Sequence, residues 1–285
     1  MPAGAQRNDI DHIKRHQRQE DSVSANFNPG AAAALLADAC QRGAQMRDLP
    51  AAAKPATLAE GYDVQDRFIA ALGDPVAGWK LGVGSASAMR RAGLSRPLAG
   101  QVGASRCLDA GGTVTVPAGA VATIEFEIAV RLARDVPPQA EALAPATLAA
   151  LVDSAQVAFE VVLSRYEDRG AVGMPAFAGD NVGFHALVLG PRIDAERMED
   201  VRASASVTLD GEVRALPLAG DDAIYPLEAL QALLAHAAER GITLRRGAVI
   251  TTGTLTRPFD VPPGAHEIRA VYAGGELPMR LACLP

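Results

Sequence analysis

The chain has 285 residues, of which 49% are hydrophobic and 21% charged, as in an ordinary globular protein of one large domain or two small ones. The net charge of −6 argues against nucleic-acid binding. No apolar run approaches the roughly 20 residues of a membrane-spanning helix, and the N-terminus lacks the apolar core of a secretory signal. Cys40, Cys107 and Cys283 are odd in number and far apart, so we expect free thiols in a reducing cytoplasm.

The N-terminal quarter is predicted to be a tail followed by helices. The first 25 or so residues are polar and mixed in charge, which is typical of a disordered segment. Pro29 begins an Ala/Leu-rich helix that we expect to reach about Arg47, and a second helix is expected from Leu58 to Leu72. We therefore divide the chain into a tail (1–25), a helical part (26–75) and a larger unit (76–285).

The segment GWKLGVGSASAMRRAG places a lysine between apolar residues. Lys80 lies between Trp79 and Leu81, where a lowered pKa would let it act as an acid, a base or an enolate stabiliser. The alternative is a surface lysine whose aliphatic stem packs against the protein. Ser85 precedes a short predicted helix over 86–91, whose first backbone N–H groups suit a carboxylate or phosphate. The dinucleotide-binding pattern is incomplete, because a serine stands where its third glycine belongs.

The run TIEFEIAV sets two glutamates two residues apart in a strand-like alternation. Side chains on a strand alternate between its faces, so Glu125 and Glu127 project the same way, with Cα atoms about 7 Å apart. Two carboxylates held close on one surface suit Mg²⁺ or Mn²⁺. A solvent-facing strand also carries glutamates, and that interpretation stays open. The residues of the opposite, apolar face are Ile124, Phe126, Ile128 and Val130.

A third glutamate follows in the run QVAFEVVLSRYED. Glu160 is surrounded by valine, leucine and phenylalanine, where a charge is costly unless it is paired or binds a cation. Two interpretations remain open at this point, a metal ligand and an ion pair with Arg165. A helix over about Pro145–Ser154 is expected to link the two acidic strands.

The C-terminal half is predicted to consist mainly of strands. Residues 206–216 read as a hairpin that turns on Asp210-Gly211, and residues 268–281 as another that turns near Gly274-Gly275. A helix is expected from Pro226 to Gly241. Helices that come early and strands that dominate later indicate an α+β fold.

The strand VITTGT ends in glycine and threonine, at Gly253 and Thr254. Such strand ends permit close approach of a ligand to the backbone, although they also occur wherever a strand merely turns. Taken alone, the feature has low specificity.

In this order, GWKLGVGS, IEFEIAV, FEVVLSRYED, GDNVGFHALVLG and VITTGTLTRPFDVPPG resemble one branch of the fumarylacetoacetate hydrolase superfamily, that of 2-keto-4-pentenoate hydratase and 4-oxalocrotonate decarboxylase. The resemblance extends from about Asn28 to the C-terminus. It implies a mixed β-sheet roll of the fumarylacetoacetase C-terminal type over 76–285, with an N-terminal helical part. It further implies a cytoplasmic, homo-oligomeric enzyme that binds Mg²⁺ or Mn²⁺ and a small 2-keto acid, with no nucleic-acid or membrane partner.

The resemblance also implies roles for individual residues. The metal ligands of the family match Glu125, Glu127 and Glu160, and its catalytic lysine matches Lys80. The residues predicted to bind substrate are Ser85, Asn181, Gly253 and Thr254.

The implied reaction is addition of water to a 2-hydroxydienoate or 2-keto-4-enoate in the catabolism of aromatic or related small acids. A metal that chelates a 2-keto acid stabilises the enolate, and the same electron sink supports decarboxylation of the 4-oxalocrotonate type. Hydrolysis of an acylpyruvate C–C bond and a role as a non-catalytic binding protein also stay open. The hydrolysis typically needs a lid histidine in this family, and no histidine lies between Arg18 and His185.

Three positions depart from the pattern of the branch. Leu163 stands where an aspartate is often found, Arg169 where an aromatic residue is found, and Gly84 where a threonine is usual. These changes leave the predicted metal ligands intact and leave the substrate open.

Overall fold

The computed structural model describes residues 27–139 and 141–283. Within these residues, a group of N-terminal helices packs against a β-structure made of two sheets. No helix in these ranges is long and apolar enough to cross a membrane. The predicted tail over 1–25 lies outside the described residues.

The first two helices are α1 (Pro29–Arg42) and α2 (Leu58–Leu72). Thr57 begins α2 with a reciprocal capping box, and the predicted bounds of this helix are confirmed. The prediction that α1 reaches Arg47 is wrong. Gly43 adopts a left-handed conformation with φ 64° and donates its N–H to carbonyl groups of the last turn, which ends the helix there.

The remaining elements follow in chain order. The helices are α3 (Ala86–Ala92), α4 (Pro145–Ala149), α5 (Met174–Gly179), α6 (Met198–Ser204) and α7 (Pro226–Glu239). The strands are β1 (Val76–Gly82), β2 (Leu98–Gly103), β3 (Cys107–Asp109), β4 (Thr113–Val116), β5 (Ala122–Leu132), β6 (Val152–Val162), β7 (Phe184–Ile193), β8 (Ser206–Leu209), β9 (Glu212–Ala215), β10 (Val249–Thr254), β11 (Phe259–Val261), β12 (His266–Tyr272) and β13 (Gly275–Cys283).

Among the described residues, the larger sheet has eight strands in the order β2-β1-β10-β5-β6-β7-β3, with β11 paired to β5. The β1–β10 and β3–β7 pairs are parallel and the others antiparallel. The smaller sheet has the order β4-β13-β12-β8-β9. The mixed sheets and the N-terminal helices confirm the predicted α+β class and mixed β-sheet roll.

The main core lies between the two sheets. Phe126 on β5 stacks on Tyr272 of the smaller sheet with ring centroids 5.8 Å apart, and contacts Phe159 on β6 edge to face at 5.5 Å. The predicted apolar face of β5 is therefore confirmed. Because alternate residues of β5 face this core, its two glutamates lie on the opposite face of the sheet.

Both predicted hairpins are present. Asp210 and Gly211 have φ values of 51° and 86°, which gives the left-handed turn that a two-residue loop between β8 and β9 requires. The β12–β13 pair turns through Gly274 at φ 97°.

The helix predicted from Pro226 is also present, as α7, and its apolar face is buried. The helix predicted over Pro145–Ser154 is wrong beyond Ala149. Val152 pairs with Leu132, so residues 152–154 extend β6 and gain ladder hydrogen bonds with β5 instead of continuing the helix.

His236 on α7 is buried between α2 and β1. Its ring centroid lies 4.5 Å from that of Tyr62 and 6.1 Å from that of Trp79. Burial, with smaller contributions from the charges of Arg96 and Arg240, lowers the pKa of His236 to about 4. The fold therefore holds a neutral imidazole at this position.

This burial predicts acid sensitivity. In the unfolded chain the His236 pKa returns to about 6.5, so the unfolded state takes up a proton as pH falls below that value while the folded state does not. The free energy of unfolding therefore falls as the pH is lowered from about 6.5 to about 4. In His236→Phe, urea unfolding should show about 2 kcal/mol less loss of stability between pH 6.5 and 4.5 than the wild type. Equal losses in the two proteins would contradict the assignment.

Candidate active site

The antiparallel register of β5 and β6 brings the three predicted metal ligands together. Glu125 lies directly opposite Glu160, and Glu127 lies two residues further along β5 on the same face. One carboxylate oxygen from each of the three lies within 4.8 Å of those of the other two. Glu127 and Glu160 are both 0% exposed, whereas Glu125 is half-buried.

The electrostatics of this cluster favour a bound cation. Burial raises the pKa of Glu127 well above its ordinary value, and the charges of Glu160 and Glu125 raise it further. Burial also raises the pKa of Glu160, against the opposing effect of Lys80. Among the described residues, Glu127 Oε1 and Glu160 Oε2 have no hydrogen-bond donor. Buried carboxylate oxygens without donors are costly, and this oxygen donor set fits Mg²⁺ or Mn²⁺.

Lys80 lies beside the cluster and is 1% exposed, so the surface-lysine interpretation is wrong. Its Nζ lies 2.9 Å from Glu160 Oε1 and donates to the Val182 carbonyl oxygen at 3.1 Å. The glycine opposite Lys80 on β2 makes room for the side chain, since a Cβ on Gly100 would lie 2.9 Å from Lys80 Cγ.

The ion pair with Arg165, one of the two interpretations left open for Glu160, is absent from the described residues, because Arg165 has a different partner. Its Nε pairs with Asp180, which also accepts a hydrogen bond from Ser164 Oγ at 2.7 Å. Arg165 lies just beyond the end of β6, and its side chain joins the neighbouring loop rather than the metal-binding face. Lys80, on a strand distant in sequence, is the cation that pairs with Glu160.

The Gly-Thr end of β10 contacts the cluster directly. The ladder between β10 and β5 shifts register between Thr251 and Thr254, and Gly253 there has φ 102°. This irregularity aims the Gly253 N–H at Glu127 Oε2, at 2.8 Å. The positive φ explains why glycine is needed at this position.

A cavity of about 410 Å³ adjoins the cluster at Glu125. Of the residues predicted to bind substrate, Ser85, Gly253 and Thr254 line it. The cavity wall also carries two arginines that the sequence analysis did not single out, Arg91 and Arg257. The signal for Arg257 was its position just after the Gly-Thr strand end.

Asn181, the fourth residue predicted to bind substrate, does not line this cavity. Both polar atoms of its amide group bond to the main chain of Gln101: Oδ1 accepts from the N–H at 2.6 Å and Nδ2 donates to the carbonyl at 2.8 Å. The substrate-binding role of Asn181 stays a prediction, and these contacts favour a different role. Sequence reasoning also missed Val182, whose main-chain oxygen touches Lys80.

His185 is not part of the cavity at Glu125. Its Nε2 lies 2.8 Å from the Thr115 carbonyl oxygen, and burial lowers its pKa to about 4. Within the described residues, no histidine lines this cavity. Of the three departures from the branch pattern, Gly84 lines the cavity, whereas Leu163 is buried in the core.

The family model described as "Fumarylacetoacetate (FAA) hydrolase C-terminal" matches residues 81–277. The chain belongs to this family. No curated protein sequence gives a significant match. Of the solved structures, 4-oxalocrotonate decarboxylase from Pseudomonas putida G7, complexed with magnesium and adipate, is 25% identical with a TM-score of 0.76 over 89% of this chain and 97% of that chain. The structure of the same enzyme complexed with calcium and acetate is also 25% identical with a TM-score of 0.76, over 91% of this chain and 99% of that chain.

A more distant structure, fumarylpyruvate hydrolase from Pseudomonas aeruginosa in complex with Mn²⁺ and pyruvate, is 18% identical with a TM-score of 0.51 over 74% of this chain and 91% of that chain. It shares the fold.

The predicted family and branch are confirmed, and the chain is an enzyme of the fumarylacetoacetate hydrolase superfamily. The predicted divalent cation agrees with the magnesium and calcium in the decarboxylase structures. The domain division, the residue roles and the homo-oligomer stay predictions.

Removal of one buried ligand should abolish metal binding without unfolding the protein. At a metal concentration of 100 Kd, binding adds about 2.7 kcal/mol of stability, which should raise the wild-type Tm by about 5 °C or more. Differential scanning calorimetry with Mg²⁺, Mn²⁺ and EDTA should show that Glu127→Gln loses this increment. The exposed Glu196→Gln is the control and should keep it. A wild-type Tm that does not respond to any divalent cation would contradict the metal site.

Proposed function

We propose that the protein is a divalent-metal-dependent lyase that decarboxylates an unsaturated 2-oxo dicarboxylate of the 4-oxalocrotonate type. The observation that carries the proposal is the convergence of Glu125, Glu127 and Glu160, with Lys80 against Glu160, beside a cavity of suitable size. The likeness to the Pseudomonas putida decarboxylase, at 25% identity over 89% of the chain, supports it. We therefore favour decarboxylation over hydration, although hydration is the reaction that the sequence predicts first.

In the proposed enzyme, Glu125, Glu127 and Glu160 hold the cation. A bound divalent cation supplies positive charge that stabilises the enolate form of a 2-oxo acid. The Gly253 N–H fixes the orientation of the Glu127 carboxylate. Lys80 offsets part of the negative charge at Glu160 and so opposes the rise that burial causes in the pKa of that carboxyl group.

Lys80 is the residue that we assign to proton transfer. An ammonium group has three hydrogens, of which Val182 O and Glu160 Oε1 can take two, so one remains for the substrate. In the decarboxylation, the C–C bond to the distal carboxylate breaks and CO₂ leaves with its two oxygens. The electron pair of that bond moves through the conjugated double bond to the 2-oxo oxygen, and a proton completes the 2-hydroxydienoate product.

The cavity wall favours a substrate with a second carboxylate. Arg257 is exposed and has no ion-pair partner among the described residues. Arg91, also exposed, donates to Ser87 Oγ at 3.1 Å. Guanidinium groups bind carboxylates through charge-assisted hydrogen bonds. A dicarboxylate, adipate, is present in the Pseudomonas putida structure, in agreement with this selectivity.

Hydration is the second candidate. The ordered motifs that the chain shares with the hydratases favour it, and the same carboxylates and lysine would enolise a 2-hydroxydienoate before water adds at C4. Acylpyruvate hydrolysis has less support, because no histidine lines the cavity within the described residues.

Product analysis by mass spectrometry separates these reactions. The enzyme is incubated with 2-oxohex-3-enedioate and Mg²⁺, and in parallel with 2-hydroxypenta-2,4-dienoate. We expect loss of CO₂ from the first substrate, and no such loss in EDTA or with Glu127→Ala. If only the second substrate reacts, and it gains water, the proposed decarboxylation is wrong and the enzyme is a hydratase. If the wild type changes neither substrate while it binds Mg²⁺, the proposed substrate class is wrong.

Substitution of Arg257 tests the proposed selectivity. Loss of a charge-assisted hydrogen bond costs about 1.5 to 3 kcal/mol, so Arg257→Gln should raise KM for the dicarboxylate by about tenfold or more. Its effect on a monocarboxylate 2-oxo acid should be less than about twofold. Arg280→Gln, an exposed arginine outside this cavity, is the control and should leave both values unchanged. An equal effect of Arg257→Gln on both substrates would refute the role.

A further inference from the structure

Three successive residues between α5 and β7 adopt the left-handed conformation. Asn181 and Val182 both have φ 53°, and Gly183 has φ 70°. We call residues 181–183 the left-handed turn. Asparagine and glycine tolerate this region of backbone space, but a β-branched valine rarely adopts it. A conformation of this kind persists only where the surrounding structure holds it in place.

The left-handed turn touches the proposed catalytic lysine through its main chain. Val182 O accepts a hydrogen bond from Lys80 Nζ at 3.1 Å. The close packing leaves no space for a side chain on the neighbouring strand: a Cβ on Gly82 would lie 2.7 Å from Val182 Cγ1 and 3.2 Å from Lys80 Nζ. The direction of the Val182 carbonyl depends on the backbone dihedral angles of the turn, so the unusual conformation aims this acceptor at Lys80.

The Asn181 amide attaches the left-handed turn to the sheet. It bonds to both main-chain polar groups of Gln101, as a neighbouring strand would. Gln101 belongs to β2, which is the end strand of the larger sheet and pairs with the strand that carries Lys80. The amide is buried, with Asn181 only 2% exposed, so these bonds are shielded from water.

The residue before the turn is fixed on the opposite side. The Asp180 carboxylate accepts hydrogen bonds from Ser164 Oγ at 2.7 Å and from the Arg165 backbone N–H at 3.0 Å. These partners follow β6, the strand that carries Glu160. The left-handed turn therefore bridges the strands of the two charged groups that pair with one another.

We propose that Asn181 is a positioning residue for Lys80. Its amide holds the left-handed turn on β2, and the Val182 carbonyl then binds one hydrogen of the ammonium group and orients the others toward Glu160 and the substrate. The inference rests on the proposed function, because the role of Lys80 belongs to it. It replaces the predicted contact of Asn181 with substrate, since both polar atoms of the amide are engaged with Gln101.

Asn181→Gly tests the amide alone, because glycine adopts the left-handed conformation without strain. With the dicarboxylate substrate and saturating Mg²⁺, we expect kcat to fall about tenfold while KM and the Kd for Mg²⁺ change less than twofold. Asn181→Ala also removes the amide and adds backbone strain, so its kcat should fall further. A normal kcat in both variants, or a rise confined to KM, would overturn the proposal.

Gln45→Ala is the matched control for lost hydrogen bonds. Gln45 Nε2 donates to the carbonyl oxygens of Ser164 and Tyr166 at 2.8 and 3.2 Å, with no contact to Lys80. We expect this variant to lower Tm and to keep the wild-type kcat. A loss of kcat in Gln45→Ala equal to that in Asn181→Gly would show that both act only through stability.

A double-mutant cycle tests whether Asn181 acts through Lys80. Asn181→Gly should reduce kcat in the wild-type background and have no further effect on the residual rate of Lys80→Met, because the positioned group is already absent. Equal effects in both backgrounds would overturn the proposal.

Chemical labelling gives a readout that does not need enzymatic activity. Lys80 is 1% exposed, and Lys54 is a more accessible reference in the same chain. With a small amine-acylating reagent and peptide mass mapping, Asn181→Gly should increase labelling of Lys80 relative to Lys54 several-fold, and Gln45→Ala should not. If the wild type acts on no 2-oxo acid, the proposed function fails, and increased labelling would still establish the contact. Unchanged labelling together with unchanged kcat would reject the positioning role itself.

Discussion

The convergence of three carboxylates, two of them fully buried, and one buried ammonium group on one face of a sheet is the constraint on which the rest of the site depends. Glu127 and Glu160 are out of contact with water, and burial together with the negative charge of Glu125 raises the pKa of both. Lys80 and the Gly253 N–H offset part of this cost. Glu127 Oε1 and Glu160 Oε2 have no hydrogen-bond donor among the described residues. A divalent cation would neutralise the negative charge that remains on these carboxylates.

The strands around this cluster are built to let groups approach closely. A Cβ on Gly100 would collide with Lys80 Cγ and with the Asn181 carbonyl oxygen, both at 2.9 Å. Gly253 turns its N–H toward Glu127 only because it adopts a positive φ. Glycines in strands normally weaken a sheet. Here the glycines make room for the Lys80 side chain and allow the end of β10 to bend. The site therefore needs glycine at positions where the sheet would be more stable with another residue.

The sequence predicted the parts of the site that depend on local periodicity or on the cost of burial. Alternation placed Glu125 and Glu127 on one face, and the apolar surroundings of Glu160 indicated a partner. The two partners left open were a metal ion and Arg165. The ion pair forms with Lys80 instead, because Arg165 is near only in sequence whereas Lys80 comes near when the sheet has formed. The left-handed conformation of Val182 was not predictable either, since valine disfavours it and only the tertiary contacts impose it.

Under the proposed function, the choice between decarboxylation and hydration resides in the cavity rather than in the carboxylates that would hold the metal. Both reactions need an enolate of a 2-oxo acid, and the carboxylates with Lys80 would support that species in either case. A substrate whose second carboxylate is attached to the saturated carbon next to the double bond of the 2-oxo-3-ene system can lose CO₂, because the electron pair of the broken bond moves through that double bond to the 2-oxo oxygen. A substrate without this carboxylate must take up a proton and then water. Arg91 and Arg257 line the cavity wall without an acidic partner of their own among the described ion pairs. We propose that they select for the second carboxylate and thereby for the reaction.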